Sequence, residues 1–461
     1  MDKTHIITVA ALGPDSGELL TMGALEAMRC ADALVLRTAQ HGAAQLLERE
    51  VVPFQTLDAL YARCEDFDEL CEAAAEALVR KAQACERLCY AVSEPASDAT
   101  VRALAKALPE GFALRVLGGA TLADCAACAV IPFGVNTENL RTITALSVLE
   151  MRVQADSPQV ITEIDNRYLA SDVKLWLGDL FDDETTVYFM ENAAQPGAAA
   201  RPIPLCELDR QPHYDHRTAV LVPRVSVYAR SRATYEDFVE VVSRLRAPGG
   251  CPWDRAQTHH TLRTYMIEEA CEAAEAMDGD DEMQLADELG DVLLQVVLNS
   301  CIGAEHRAFT DRDVTSMAAH KMITRHEHVF GQAKADSAQA VTDVWENAKK
   351  KERGEQTALE RVLDIAPSLP GLMRAQKAVR REAQAKGQTL ALDRTLGEAR
   401  KALDAMESGA GEAALGNALM SLCAAAQAAE LDAETALRSA VSAQIERLRG
   451  EENAAKPERK I

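Results

Sequence analysis

The chain has 461 residues, 48% hydrophobic and 4% aromatic, with 49 basic against 72 acidic side chains and a net charge of −23. That length is too great for one core and implies two or three domains. The acidic balance speaks against stable nucleic-acid binding, which needs a basic footprint, but a divalent metal with a few local Lys or Arg residues can still reverse the potential at one small anionic substrate.

The chain opens Met-Asp-Lys-Thr-His and runs directly into an apolar strand. It has neither a basic-then-apolar leader nor an apolar run of about 18 residues, so we expect a cytoplasmic protein with no membrane partner. Its 12 cysteines are scattered, and the one paired spacing, Cys125-Ala-Ala-Cys128, has no second pair nearby. We assign it no metal or redox role.

From residue 1 to 225, strand candidates His5 to Leu12, Leu34 to Arg37, Leu88 to Val92, Ala113 to Leu117, Val160 to Ile164, Thr186 to Met190 and Ala219 to Val222 alternate with helical stretches. The alternation predicts an α/β domain with a largely parallel sheet. Its first strand ends in Gly13-Pro14-Asp15-Ser16-Gly17, at the carboxyl end where such folds bind ligands.

Residues 226 to 352 read as an all-α domain, with helices Tyr235 to Leu245, Thr261 to Met277, Met283 to His306, Asp313 to His326 and Val341 to Glu352. Pro248-Gly-Gly-Cys-Pro252 makes a rigid loop, Asp278-Gly279-Asp280 stops the second helix, and Thr310-Asp-Arg-Asp313 resembles a capping box. Residues 353 to 461 read as a further alanine-rich helical segment with a polar, disordered tail from Glu451 to Ile461.

The middle segment carries the chemistry. Glu268, Glu269 and Glu272 lie on one predicted helix, and Glu288 and Asp291 on the next. At about 100° per residue, the first three share one arc and the last two lie side by side, so antiparallel packing could aim all five inward. Two such charges about 5 Å apart repel by roughly 3 kcal/mol in an effective dielectric of about 20. Converging carboxylates therefore need a cation or raised pKa values, and hard Mg²⁺ or Mn²⁺ is the natural partner. A solvated acidic face is the alternative. Against it, Leu285, Leu289, Val292, Leu293 and Val296 form an apolar stripe that includes Glu288, which predicts a carboxylate turned toward the core.

The third segment holds a faint repeat of this hairpin, with Ala414-Leu-Gly-Asn417 aligned to Glu288-Leu-Gly-Asp291 and Ala399 to Met406 aligned to Ala270 to Met277. In that register the five carboxylates become Gly397, Glu398, Lys401, Ala414 and Asn417.

Leu245-Arg-Ala-Pro-Gly-Gly-Cys-Pro-Trp-Asp254, Gln257-Thr258, the two carboxylate motifs, Lys321 with Arg325-His326, and His328-Val-Phe-Gly331 together resemble the MazG-type nucleoside triphosphate pyrophosphohydrolases. Thr21, Arg37-Thr38, Asp165-Asn-Arg167, Ala170 to Lys174 and Glu207 to Arg210 resemble the tetrapyrrole-methylase-like half of a bacterial fusion with MazG. The resemblance implies Mg²⁺-dependent cleavage of nucleoside triphosphates to monophosphate and pyrophosphate, with Glu269, Glu272, Glu288 and Asp291 as metal ligands. It places Glu268 as an outer ligand or water-orienting group and Lys321 and Arg325 at the phosphates. It also assigns Trp253, Trp345 and Lys349 to the nucleotide, makes the third segment a degenerate second repeat and implies a homodimer.

There are departures. His326-Glu-His328 stands where His-Pro-His is usual, and Leu298-Asn299-Ser300 where an aromatic and a histidine are common. Methylases of the fold bind S-adenosylmethionine with glycine-rich loops, but here the corresponding stretches read Ala11-Leu-Gly-Pro-Asp15 and Ser93-Glu94-Pro95, which argues against that cofactor. A methyltransferase with a helical appendage, or a nucleotide-binding scaffold with a slow metal site, are the competing readings. Calorimetry with S-adenosylmethionine tests the first, and pyrophosphate release the second.

Overall fold

The computed structural model describes residues 5–61, 63–64, 66–332, 337, 340–341, 344–345, 357–408 and 411–455. The chain divides into two compact units, Met1–Ala308 and Phe309–Ile461. The first thus holds the whole α/β region together with the carboxylate hairpin.

Ten strands, β1 (His5–Ala11), β2 (Ala33–Leu36), β3 (Gln55–Thr56), β4 (Arg87–Val92), β5 (Phe112–Leu117), β6 (Arg141–Thr144), β7 (Gln159–Thr162), β8 (Thr186–Met190), β9 (Arg201–Pro204) and β10 (Ala219–Val222), form two sheets. The first has the order β3-β2-β4-β1-β5 and is parallel throughout. Its central strands are continuous apolar runs because helices cover both faces: Ile7, Val9, Ala10 and Ala11 are all buried. The second sheet, β6-β7-β10-β8-β9, corrects the expectation of a largely parallel sheet, for only β6 and β7 run parallel in it. All seven strand candidates are present, and the three that were missed, β3, β6 and β9, are edge strands. Short, half-covered edges with polar residues or proline carry little of the apolar pattern that announces a strand.

After β10 the chain crosses into helix. Ser231 N–H donates to Asp182 at 3.0 Å and Arg232 to the Gly178 carbonyl at 2.9 Å, tying the linker to the end of helix Arg167–Gly178. Arg230, its side chain 1% exposed, pairs with Asp237 at 2.6 Å, and Asp237 closes a capping box with Thr234 at the start of helix Tyr235–Arg246. Removing one partner of a buried pair leaves an uncompensated charge, so Arg230→Met is expected to cost about 3 kcal/mol in urea denaturation. Burial works against the Asp237 charge, but hydrogen bonds from Arg230 and Thr234 outweigh it and hold the carboxyl below its ordinary value of 3.8. That stabilisation is present above the unfolded value and is lost as pH falls through the lowered folded one. The Arg230→Met deficit should therefore shrink in acid, and a deficit unchanged with pH would count against the pair.

Helix Tyr235–Arg246 packs on the carboxyl-terminal half of helix Glu282–Glu305, where Val242, Leu262, Val297, Leu298 and Ile302 form the core. In the second unit, helices Leu392–Glu407 and Gly411–Ala428 make the hairpin that the repeat predicted. Ala399, Ala414 and Ala418 are buried there, so alanine occupies the position aligned with Glu288. The capping box at Thr310 and Asp313 is present at the head of helix Asp311–Arg325. The first five residues assigned to the polar tail, Glu451 to Ala455, instead continue helix Ala433–Ala455; the rest of that tail lies outside the described residues. No helix among the described residues is long and apolar enough to cross a membrane.

Candidate functional site: a carboxylate hairpin

The site is assembled around a loop that only glycine can make. Gly249 has φ +85, and a Cβ on Gly250 would lie 2.2 Å from the Leu245 carbonyl oxygen, so the chain folds back tightly over the end of helix Tyr235–Arg246. Arg246, its side chain 5% exposed, clamps the result with two bonds to Glu305, at 2.6 and 2.8 Å, and one to the Gln257 carbonyl at 3.3 Å. The Arg246 bonds hold the Glu305 carboxyl below the ordinary range. Trp253 is thereby seated edge-on against Tyr265 with ring centroids 5.9 Å apart, still half exposed.

Helices Leu262–Ala276 and Glu282–Glu305 then form a hairpin, with Asp281 capping the second. Glu269 and Glu272, three residues apart, share a face of the first, and Glu288 meets them from the second. One carboxylate oxygen from each lies within 4.8 Å of the others. Burial first, then the charges of Asp291, Glu272, Glu268 and Glu288, push the Glu269 carboxyl above its ordinary range. Glu288 is raised too, by burial and then by Glu272, Asp287 and Asp291. Asp291 and Glu268 are thus electrostatic neighbours of the cluster, but they lie outside the three-oxygen convergence. Three hard oxygen donors that converge within reach of one ion fit a divalent cation of the Mg²⁺ or Mn²⁺ kind.

The core-facing stripe expected around Glu288 needs correction. Leu289 and Leu293 are 45% and 37% exposed, while Leu285, Val292 and Val296 are half-buried. The buried side of the helix instead carries Gln295, Val297, Leu298, Ser300 and Ile302. Wheel arithmetic located an apolar stripe but could not say which part of it is covered. The Leu298-Asn299-Ser300 departure is absorbed by packing: Leu298 joins the core, the Asn299 side-chain oxygen lies 2.7 Å from His259 Nδ1, and the Ser300 hydroxyl donates to the Val296 carbonyl at 2.8 Å.

Lys321 and Arg325 lie one turn apart on helix Asp311–Arg325 of the second unit, Lys321 exposed and Arg325 half-buried. Beyond them the rings of His326 and His328 stand 5.6 Å apart, and those of His326 and Trp345 6.4 Å apart. Lys349 lies outside the described residues.

The amino-terminal region has a cavity of about 870 Å³ at the carboxyl ends of its parallel strands. Loops after β1, β2, β4 and β5 supply Asp15, Arg37, Glu94 and Thr121, and Glu163, His216 and Arg217 complete the wall. Glu163 follows β7 directly, so the rule that placed ligands at strand ends could have found it; His216 and Arg217 precede β10 and carried no such signal. The first loop is closed from behind, since a Cβ on Gly42 would lie 1.9 Å from the Asp15 carbonyl oxygen and Gly42 N–H already donates to the Asp15 carboxylate at 2.7 Å. Glu94 lines the wall where the methylases carry glycine, and burial raises its pKa.

Fold and site together define an α/β domain joined to a helical domain with a carboxylate hairpin. The tetrapyrrole (corrin/porphyrin) methylases match over residues 7–209, and the MazG nucleotide pyrophosphohydrolase domain over residues 257–330. The uncharacterized protein YabN of Bacillus subtilis is 34% identical over 80% of this chain and 76% of its own length. The nucleoside triphosphate pyrophosphohydrolase/pyrophosphatase MazG of Thermotoga maritima is 35% identical over 47% of this chain and 84% of its own. The nucleoside triphosphate pyrophosphohydrolase of Escherichia coli K12 is 39% identical over 31% of this chain and 54% of its own. The chain belongs to the MazG family, in the form that carries a tetrapyrrole-methylase-like domain ahead of the helices.

Proposed function

We propose that the protein is a Mg²⁺- or Mn²⁺-dependent nucleoside triphosphate pyrophosphohydrolase that releases nucleoside monophosphate and pyrophosphate, a housecleaning activity on the cytoplasmic nucleotide pool. The observation that carries this reading is the convergence of Glu269, Glu272 and Glu288 on one point of a hairpin within the MazG match. In it, these three and Asp291 hold the metal, and Glu268 orients the attacking water. A bound divalent ion supplies charge neutralisation for the triphosphate and a more acidic water.

Lys321 and Arg325 are assigned to the phosphates, where cations stabilise developing charge, and Trp253, Trp345 and Lys349 to the nucleotide. The functional domains are residues 1–225, 226–352 and 353–461, the last a degenerate repeat. A homodimer is part of the reading, supported by the exposed Leu289 and Leu293 beside the acidic cluster, apolar surface of the sort that subunit contacts cover. Sedimentation of a monomer at micromolar concentration would remove it.

A panel of ribo- and deoxyribonucleoside triphosphates, assayed for pyrophosphate with Mg²⁺ and with Mn²⁺, tests the reaction. At least one should give stoichiometric pyrophosphate and monophosphate. Binding of nucleotide and metal without release of pyrophosphate would make the protein a scaffold instead.

A further inference from the structure

We propose that the amino-terminal cavity is a binding site for a small aliphatic polyamine, with Glu94 and Glu163 as its principal counter-ions. Its volume, about 870 Å³, is that of a small-molecule site rather than of a lone ion.

The wall holds two guanidinium groups, and both are already neutralised. Arg37 pairs at 2.6 Å with Asp98, whose side chain is 3% exposed, and donates to the Tyr61 hydroxyl, also at 2.6 Å. Arg217 is held by Asp215 and, at 3.3 Å, by Asp15. Asp58 accepts from the Ala39 backbone N–H at 3.0 Å, so its charge is partly met. Glu94 and Glu163 remain. Among the described residues neither is in an ion pair, and each faces the cavity.

Their environment disfavours the bare carboxylates, a penalty that a cationic partner would lift. Burial, then Asp165 and Glu94, raises the Glu163 carboxyl, and the pull of His216 and Arg37 does not overcome them. Glu163 also holds φ +60, a backbone conformation that few side chains other than Gly, Asn and Asp adopt. Six carboxylates, those of Asp15, Asp58, Glu94, Asp98, Glu163 and Asp215, thus stand against two arginines and the two imidazoles of His41 and His216 in and behind this wall.

Such a cavity repels a polycarboxylate macrocycle, the ligand class named by the methylases whose domain matches here. A divalent metal does not satisfy it either. Among the described residues the only three-carboxylate convergence is the hairpin cluster, so Glu94 and Glu163 do not share a metal point with a third donor. Ammonium groups spaced along a flexible chain can meet separated carboxylates one at a time, and in a partly desolvated cavity each such pairing gains more than it would in water.

Titration calorimetry of the full chain with spermidine, at about 150 mM salt so that diffuse attraction to an acidic surface is screened, tests the proposal. One equivalent should bind. Glu94→Gln and Glu163→Gln should each weaken binding about tenfold, the loss of one close charge pair. Glu269→Gln should leave it unchanged, which separates this cavity from the hairpin. Glu94 is not in the left-handed backbone region, so Glu94→Gln remains a fair test even if Glu163→Gln fails to fold. Uroporphyrin, an octacarboxylate, should not bind. No saturable spermidine binding, binding indifferent to Glu94→Gln, or saturable uroporphyrin binding in this cavity would each overturn the proposal.

Discussion

Glu269→Gln is expected to lower the rate of pyrophosphate release by about 100-fold or more: in the function we propose, losing one ligand charge would weaken the hold on metal and triphosphate, and each 1.4 kcal/mol of lost stabilisation costs about tenfold. Glu288→Gln should do the same from the facing helix. The substitution keeps the side chain's shape and removes one of the mutually repelling charges that raise the Glu269 and Glu288 carboxyls. Without metal, then, neither variant should melt below the parent. A fall in turnover with a melting temperature held or raised is the signature of a ligand, whereas a fall in both marks a structural role. Full turnover in both variants would sink the assignment of the site.

The second large effect is on stability. A cation that binds the folded hairpin and not the unfolded chain stabilises by about 2.7 kcal/mol at 100 times its dissociation constant. Mn²⁺ or Mg²⁺ should therefore raise the melting temperature of the first unit, a chelator should reverse the gain, and Glu269→Gln/Glu272→Gln/Glu288→Gln should abolish it. The pH dependence follows in sign. Glu269 and Glu288 have folded pKa values above the ordinary glutamate value of 4.5, so the metal-free fold binds these protons more tightly than the unfolded chain. Its stability declines as pH rises from that value through the raised folded ones, and metal should cancel the decline. A metal response that persists in the triple variant would place the ion elsewhere.

Local periodicity carried much of this protein. The central strands announced themselves as apolar runs because both of their faces are covered, and the hairpin did so through glutamates at helical spacing between a glycine loop and an Asp-Gly-Asp stop. The repeat we propose for the third segment was legible for the same reason: Ala414 stands where Glu288 would, and Gly397 where Glu268 would. The edge strands were not legible, since a half-exposed ladder does not demand an apolar pattern.

Residue type and spacing, which are local, were enough to determine that two α-helices would carry five carboxylates and that an α/β region would precede them. Which of the five meet at one point was not a local matter. It depends on the depth and rotation of one helix against its neighbour, and that packing brought Glu269, Glu272 and Glu288 together and left Asp291 and Glu268 outside the convergence. The same holds for the amino-terminal cavity. Glu94, Glu163 and Arg217 are far apart in the chain, and only the turning of two sheets brings them to one wall, where charges that are unremarkable in sequence become a deficit that a ligand can fill.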